Sequence, residues 1–228
     1  MHNQWRDVAV FLDGSPRRER IGRHAAALAQ RHAAHLVGVY GVSHPSNLNP
    51  PKSFARGAGI NQVLERQRAT DEVKILAAGR AFAALIRAYE ISSEFRVVWR
   101  ERQDDDAALK ALHSDLIVAA RPAPDDLPST WSAEHLLLVS GTPVLLVPDG
   151  WAEARIGARI VIAWNGSREV RRAVNDAMPF LAAAAQVTIL IVDDTRSNRL
   201  DDEPGADIAG HLIGAYSRPT TAEILFGA

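Results

Sequence analysis

The stretch that decides the fold occurs twice in the chain. Residues 8–15 read V-A-V-F-L-D-G-S, and residues 160–167 read I-V-I-A-W-N-G-S. Ile160 lies 152 positions after Val8, and this spacing extends without a gap through a helical pattern into the next apolar run, where Ile191 corresponds to Val39. Each copy therefore predicts a strand, a glycine turn, a helix and a second strand. Ligands of open parallel sheets bind at the carboxyl ends of the strands, so both turns indicate a binding edge.

The first half of the chain continues the same alternation of strand and helix. Ser15 and Pro16 suit the start of the first helix, where a hydroxyl caps and no amide donor is needed. Apolar runs predict five strands, at about residues 7–12, 35–42, 94–100, 115–120 and 142–147. Helical patterns separate them, including residues 60–89, 104–113 and 130–140. This order predicts a doubly wound α/β domain with a parallel five-stranded sheet in residues 1–150.

The second half, residues 158–228, predicts an incomplete copy of the same domain. Strands are expected at residues 159–164 and 186–193, with one helix at 168–184 and a short helix from Gly205 to Leu212. We interpret Ile213–Tyr216 as the end of a fourth strand. Gly214 follows Ala120 by 94 positions instead of 152, which leaves the second copy about 58 positions short. The shortfall reflects either a natural truncation or a gap near Leu212–Ile213, and we favour the gap because losing central strands would bare apolar faces.

Composition excludes several classes of protein. Of the 228 residues, 47% are apolar and 23% are charged, which is typical of a soluble globular protein. The formal net charge of −1 favours neither nucleic acid nor an anionic membrane as a partner. The chain has no cysteine, which excludes disulfides and thiolate chemistry. No secretory signal and no apolar run near the ~20 residues of a membrane span is present, so we expect a cytoplasmic protein.

These motifs together resemble the universal stress protein family of the tandem, two-domain type. The duplicated turn and the order of elements carry most of the resemblance, which covers nearly the whole chain. It implies two copies of an adenine nucleotide alpha hydrolase-like, Rossmann-like fold. The residues that carry it are Leu12–Ser15, Trp164–Ser167, Thr142–Pro148, Gly205–Ala209 and the ending Gly214–Ala228.

Members of that family that bind ATP carry G-x-x-G, nine residues, and then G-S or G-T. Small residues let backbone amides approach the phosphates, and a helix N-terminus favours their negative charge. The same spacing occurs here, with Ser217 at the second glycine and Ala228 at the final hydroxyl. The resemblance therefore implies a degenerate phosphate loop in the second half.

The resemblance also implies where an adenine nucleotide would lie. Its adenine would contact the backbone of Ala163 and Val192, and its adenosine would meet Asn165, which stands where the family has an acid. ATP or another adenine nucleotide, with Mg²⁺, is the implied cofactor. The expected nucleotide-binding residues are Ala163, Asn165, Gly166, Val192, Gly214, Ser217 and Gly227.

The first half departs from the family pattern after its fourth strand. The segment Arg121–Asp126 has no glycine, and it contains two prolines, which lack amide donors, and two aspartates. Carboxylates repel phosphate. We therefore do not expect the first half to bind a nucleotide in the family's manner.

No cluster in the sequence predicts catalysis or a metal. Asp104–Asp106 are expected to complement a helix dipole. The consecutive residues His113, Ser114 and Asp115 cannot all converge on one substrate, so no catalytic triad is expected. A solvated helix face is the expected environment of the arginines that flank the two turns, namely Arg17, Arg18, Arg20, Arg171 and Arg172.

The sequence thus favours a non-catalytic regulatory or stress-response protein with degenerate ATP binding in its second half. Its two halves are expected to pair as an intramolecular pseudo-dimer through edge strands, with Pro143–Val147 at the seam, and further association into a homodimer stays open. Two alternatives remain. One is an adenine-nucleotide hydrolase or transferase on a related fold, and the other is a structural interaction module without a ligand.

Overall fold

The computed structural model describes residues 4–12, 17–43, 58–100, 112–121, 132–151, 156–193, 206–216 and 220–226. Clustering of the backbone divides the chain into two compact units. The first is Trp5–Ala152, and the second is Glu153–Ala228 together with Met1–Gln4. No helix in the described ranges combines the length and the apolar character needed to cross a bilayer.

The first unit is a five-stranded parallel sheet between helices, as predicted. Its order is β3-β2-β1-β4-β5, so the strand order reverses between β1 and β4. The predicted strands agree with the structure to within about two residues. The elements are β1 (Asp7–Leu12), α1 (Arg18–His32), β2 (His35–Ser43), α2 (Ala58–Arg87), β3 (Ser93–Arg100), β4 (Leu116–Ala120), α3 (Ala133–Val139) and β5 (Val144–Val147). The helix predicted at 104–113 lies almost entirely outside the described residues.

Helices cover both faces of this sheet. On one face, α1 buries Ile21, Ala25 and Leu28, which recur at helical spacing, and α2 buries Phe82 against Gly38 of β2. On the opposite face, Leu136 of α3 joins a core of strand side chains that includes Ala9, Val37, Val39, Ile117 and Ala119. Because both faces are buried, β1 reads as a continuous apolar run, as strands of parallel sheets do.

Polar and aromatic contacts close the amino end of the first sheet. The Asp115 carboxylate accepts hydrogen bonds from the backbone amides of Arg6 and Asp7, at 2.6 and 3.1 Å. The rings of Trp5 and His32 pack with their centroids 4.6 Å apart. Burial, together with the positive charge of Arg31, lowers the pKa of His32, so the ring is neutral near pH 7.

The start of α1 differs from the prediction. The helix begins at Arg18 with Arg17 as the N-cap residue, and no side chain caps it. Ser15 is therefore not the N-cap, and Pro16 is not the first helical residue; both lie outside the described residues. The sequence rule failed because it places the cap directly after the glycine turn.

The second unit is a three-stranded parallel sheet in the order β6-β7-β8. The predicted strands β6 and β7 are confirmed at their predicted ends. The elements are β6 (Arg159–Trp164), α4 (Arg168–Asp176), α5 (Met178–Leu181), β7 (Gln186–Asp193), α6 (Ala206–Tyr216) and β8 (Thr220–Phe226). The order repeats the start of the first unit, with β6, β7 and β8 in the places of β1, β2 and β3. The second copy is thus partial.

The single helix predicted at 168–184 is two helices. The break falls at Ala177, which has φ −85° and ψ 1°. Pro179 follows two residues later and has no amide to donate to a carbonyl of the preceding turn. The proline therefore ends α4 and begins the short helix α5.

The repeat between the halves is not free of gaps. In the first unit Asp7 pairs with His35, and in the second Arg159 pairs with Gln186. The first strand of the second unit thus follows that of the first unit by 152 positions, but the second strand follows its counterpart by only 151. One residue is thus lost between the first and second strands of the second unit, and a one-residue shift would turn every side chain of β7 to the other face of the sheet.

The strand end predicted at Ile213–Tyr216 is wrong. Helix α6 runs unbroken from Ala206 to Tyr216 and leads to β8, which pairs with β7 in parallel. The third strand of the second copy is therefore present. Among the described residues, counterparts of β4 and β5 do not occur in the second unit.

Helices cover one face of the second sheet. Ile162, Ile189 and Ile191 pack there against Val174 of α4 and Leu212 of α6. On the opposite face, Val161 is 63% exposed, and Arg159 and Ala163 beside it are exposed as well. No helix in the described part of the second unit packs on that face.

Candidate functional site at the carboxyl ends of the strands

Four of the predicted site residues lie at one edge of the second sheet. Strands β6 and β7 are parallel, so both end at the same edge, with Ala163 one residue before the end of β6 and Val192 one residue before the end of β7. Asn165 and Gly166 follow β6 directly and are exposed. The structure thus places Ala163, Asn165, Gly166 and Val192 at the edge where parallel sheets bind ligands.

The turn after β6 satisfies its own hydrogen bonds. The Asn165 Oδ1 atom accepts a hydrogen bond from the Ser167 amide at 3.0 Å. Ser167 is the N-cap of α4, and its Oγ accepts from the Val170 amide at 3.2 Å. The side-chain oxygen of Asn165 is therefore engaged within the turn, and its side-chain NH2 group is a hydrogen-bond donor.

Gly166 is required by the backbone of this turn. Its φ is +72°, in the left-handed region that favours glycine. A Cβ built at Gly166 would have no described atom within 4 Å, so close approach of another group does not explain the glycine. The turn accounts for Gly166 without a ligand.

We expect Gly166→Ala to lower the free energy of unfolding of the second unit by about 1 kcal/mol, because a Cβ strains a left-handed backbone. Gly210→Ala is the matched control, since Gly210 is an exposed helical glycine with no atom near its Cβ. That change should raise stability by about 0.5 kcal/mol. Urea unfolding followed by hydrogen exchange of β6 and β7 measures both, and equal effects would contradict the turn assignment.

Gly214 is placed at the other end of the sheet. A helix that joins two parallel strands runs antiparallel to them, so the last turn of α6, which contains Gly214, lies near the amino ends of β7 and β8. With eleven residues, α6 separates the two ends by about 16 Å. The predicted phosphate loop around Gly214 therefore does not join Asn165, and Ser217 and Gly227 lie outside the described residues.

The carboxyl end of the first sheet holds a charged contact that the sequence did not reveal. Arg17 Nη1 lies 3.4 Å from Asp149 Oδ2 and 3.5 Å from Asp149 Oδ1. The same nitrogen donates to the backbone oxygen of Arg121 at 3.4 Å. Arg17 and Asp149 are 132 positions apart, so no local pattern could pair them. The expectation of a solvated face is wrong for Arg17, whose side chain is 16% exposed.

The structure shows how the candidate metal ligands and Asp115 are placed among the described residues. Within them, no group of three or more His, Cys, Asp or Glu side chains is placed to hold a metal ion. The Asp115 carboxylate, part of the His113–Asp115 run, is engaged by backbone amides at the amino end of the sheet. That end is opposite the strand ends where a substrate would bind.

Similar solved structures have the same fold. A universal stress protein from Archaeoglobus fulgidus DSM 4304 matches with TM-score 0.65 and 16% identity, over 99% of this chain and 78% of that chain. A protein of unknown function, PA1789 from Pseudomonas aeruginosa PAO1, matches with TM-score 0.52 and 16% identity, over 97% of this chain and 75% of that chain. A universal stress protein in complex with cAMP matches with TM-score 0.43 and 21% identity, over 62% of this chain and 97% of that chain.

The first two matches, with TM-scores of 0.65 and 0.52, establish the fold, which is the α/β fold of universal stress proteins. No protein-family model and no curated protein sequence matches the chain. At identities near 16%, residue roles are not transferred with the fold. The role of each strand-end residue is therefore argued from its own geometry.

Proposed function

We propose that the protein is a non-catalytic regulatory protein of the universal stress type that binds the adenosine part of an adenine nucleotide weakly in its second unit. The observation that carries this proposal is the convergence of Ala163, Asn165 and Val192 at the carboxyl edge of β6 and β7. Ala163 and the Asn165–Gly166 turn are exposed, so a planar base can reach the backbone there. The resemblance of the duplicated turn to that of the universal stress protein family suggests that the ligand is a nucleotide and not another small molecule.

The geometry favours the adenosine part of the ligand over its phosphates. Asn165 is neutral and offers an amide donor to a ribose hydroxyl. Gly214 lies at the opposite end of the sheet, so its amide is remote from a phosphate bound beside Asn165. Ser167 already accepts the amide of Val170 at the start of α4. Phosphate groups therefore gain little from the described part of this edge.

Asn165 is a poor ligand for Mg²⁺ at the end of β6. The hard Mg²⁺ ion prefers carboxylate oxygens, and Asn165 stands where the family has an acid. The oxygen of its side chain accepts the Ser167 amide instead. We therefore expect Mg²⁺ to leave nucleotide affinity unchanged.

Adenosine, AMP and ATP should bind with dissociation constants that lie within about threefold of one another. Each constant should exceed about 100 µM, which corresponds to a binding free energy weaker than about −5.5 kcal/mol. The reason is that only the nucleoside is recognised. Isothermal titration with each compound, with and without Mg²⁺, measures this. Submicromolar affinity for ATP, or a strong preference for ATP over adenosine, would refute recognition of adenosine alone.

Two further measurements separate the competing functions. Steady release of phosphate from ATP above a heat-treated control would make the protein an enzyme. Mass spectrometry of gently purified protein detects a nucleotide that copurifies, and failure of every adenine compound to bind would leave the interaction module as the function.

One observation favours the interaction module: Leu137 and Leu138 of α3 are 51% and 85% exposed beside the edge strand β5. This surface adjoins the Pro143–Val147 segment for which pairing is proposed.

A further inference from the structure

Helix α2 carries a second row of side chains that the fold leaves exposed. Its buried row, which includes Ala78, Phe82 and Ile86, packs in the first unit. On another side of the helix, Val73 is 68% exposed and Leu76 is 58% exposed. Isolated apolar side chains are ordinary on a protein surface, so the residues around Leu76 decide whether it belongs to a contact surface.

Leu76 is the centre of an exposed stripe along α2. Residues that are four, seven or eleven positions apart lie within about 40° of one another around a helix. The apolar members of the stripe are Ala69, Leu76 and Ala83, and the charged members are Glu65, Glu72, Arg80 and Arg87, all of them exposed. The stripe is about 33 Å long.

The charges of this stripe are placed symmetrically about Leu76 and with opposite signs. Glu72 stands four positions before Leu76, and Arg80 stands four positions after it. Glu65 stands eleven positions before it, and Arg87 stands eleven positions after it. The pattern is complementary to itself when two copies of the helix lie antiparallel, because each acid then faces an arginine of the other copy.

Contacts within α2 do not account for this pattern. The positions three and four residues to either side of Arg80 hold only leucine and alanine, so the sequence offers Arg80 no acid for an ion pair along its own helix. Arg87 donates from Nε to the backbone oxygen of Ala83 at 3.3 Å, which holds its side chain along the stripe. Ala69 and Ala83, seven positions before and after Leu76, are small enough to let a second helix approach closely.

We propose that this stripe is the surface through which two copies of the chain associate, with their α2 helices antiparallel and the two-fold axis at Leu76. Leu76 then packs on Leu76 of the second copy, and Glu72 faces Arg80 of the second copy. A single pair of helices buries less than the roughly 1,600 Å² of a standard interface, so we expect a weak dimer with a Kd of about 10–100 µM. The surface is independent of adenosine binding in the second unit.

Exchange of charges tests which residues face each other. Glu72→Arg and Arg80→Glu should each weaken dimerisation at least about tenfold, because each places like charges opposite one another on both sides of the axis. An equimolar mixture of the two variants should recover the affinity of the unaltered protein, since every facing pair is again of opposite charge. Sedimentation equilibrium at protein concentrations up to about 500 µM measures all three.

Single cysteines test the antiparallel orientation, because the chain has no cysteine of its own. Leu76→Cys should form a disulfide between two copies, since a residue on the axis faces itself. Ala69→Cys should not, because its two copies would lie about 21 Å apart, beyond the roughly 7 Å between Cα atoms that a disulfide spans. Mixed with Ala83→Cys, however, it should form a crosslinked dimer.

Leu138→Glu is the control, since Leu138 is an 85% exposed leucine on a different helix, α3. It should leave dimerisation unchanged, and circular dichroism checks that each variant is folded. A protein that stays monomeric over the whole concentration range would overturn the proposal. So would a dimer that Glu72→Arg leaves intact or that Leu138→Glu disrupts, and crosslinking of Ala69→Cys to itself would refute the antiparallel arrangement.

Discussion

Replacing Ile189 with alanine is expected to lower the free energy of unfolding of the second unit by about 3–5 kcal/mol. Ile189 lies in the central strand β7, is 0% exposed, and packs within the core formed with α4, α5 and α6. A small unit holds only a few kcal/mol of net stability, so this loss should unfold most of the second unit at 37 °C. The first unit has its own core and should stay folded.

The control for this prediction lies on the opposite face of the same sheet. Val161 of β6 is 63% exposed, and Val161→Ala should change stability by less than about 0.5 kcal/mol. Urea unfolding monitored by hydrogen exchange resolves peptides of the two units. Similar losses for Ile189→Ala and Val161→Ala would mean that both faces of the second sheet are covered, contrary to the structure.

Gly38→Ala is expected to destabilise the first unit by about 2 kcal/mol, although glycine-to-alanine changes in strands are usually favourable. A Cβ at Gly38 would lie 2.7 Å from Cε2 of Phe82 and 2.9 Å from two further ring atoms. Phe82 is 5% exposed and packs against the ring of Phe95, with centroids 5.7 Å apart. A ring held on several sides cannot move away cheaply, so α2 must shift from the sheet.

A double-mutant cycle tests this cause. Phe82→Leu alone should cost stability through the space it leaves, but combined with Gly38→Ala it should cost less than the sum, with a coupling free energy of about 1 kcal/mol or more. Gly150→Ala provides the control, because no atom lies within 4 Å of a Cβ there. Additive effects in thermal unfolding would show that the Gly38 clash is not with Phe82.

The sequence predicted those elements whose signal is local. Strands β6 and β7 have their predicted ends because each is an apolar run bounded by polar residues, and Gly166 was found because a glycine turn follows a strand. The order of strands and helices was sufficient to predict the parallel first sheet, since consecutive βαβ units leave few topologies. The family resemblance implied that Ala163, Asn165 and Val192 belong to one site, and the structure places them at one edge.

The break at Pro179 had a local signal, but two other failed predictions concern residues whose state depends on distant parts of the chain. Ile213–Tyr216 reads equally well as a strand end or as a helix, because a short apolar run lacks a decisive period. It is helical because α6 packs Ile208 and Leu212 on the sheet and then leads into β8. The one-residue difference between the repeats was not detected, since both alignments keep most apolar residues of the second strands opposite apolar residues.

The duplicated stretch at residues 8–15 and 160–167, together with the order of strands and helices, was enough to predict an α/β fold, since consecutive βαβ units leave few topologies. Tertiary structure alone decided the chemistry at the two strand-end edges. It moved Gly214 away from Asn165, because a connecting helix runs antiparallel to its strands. It also paired Arg17 with Asp149 across 132 positions, because parallel strands bring the segments that follow them to one edge.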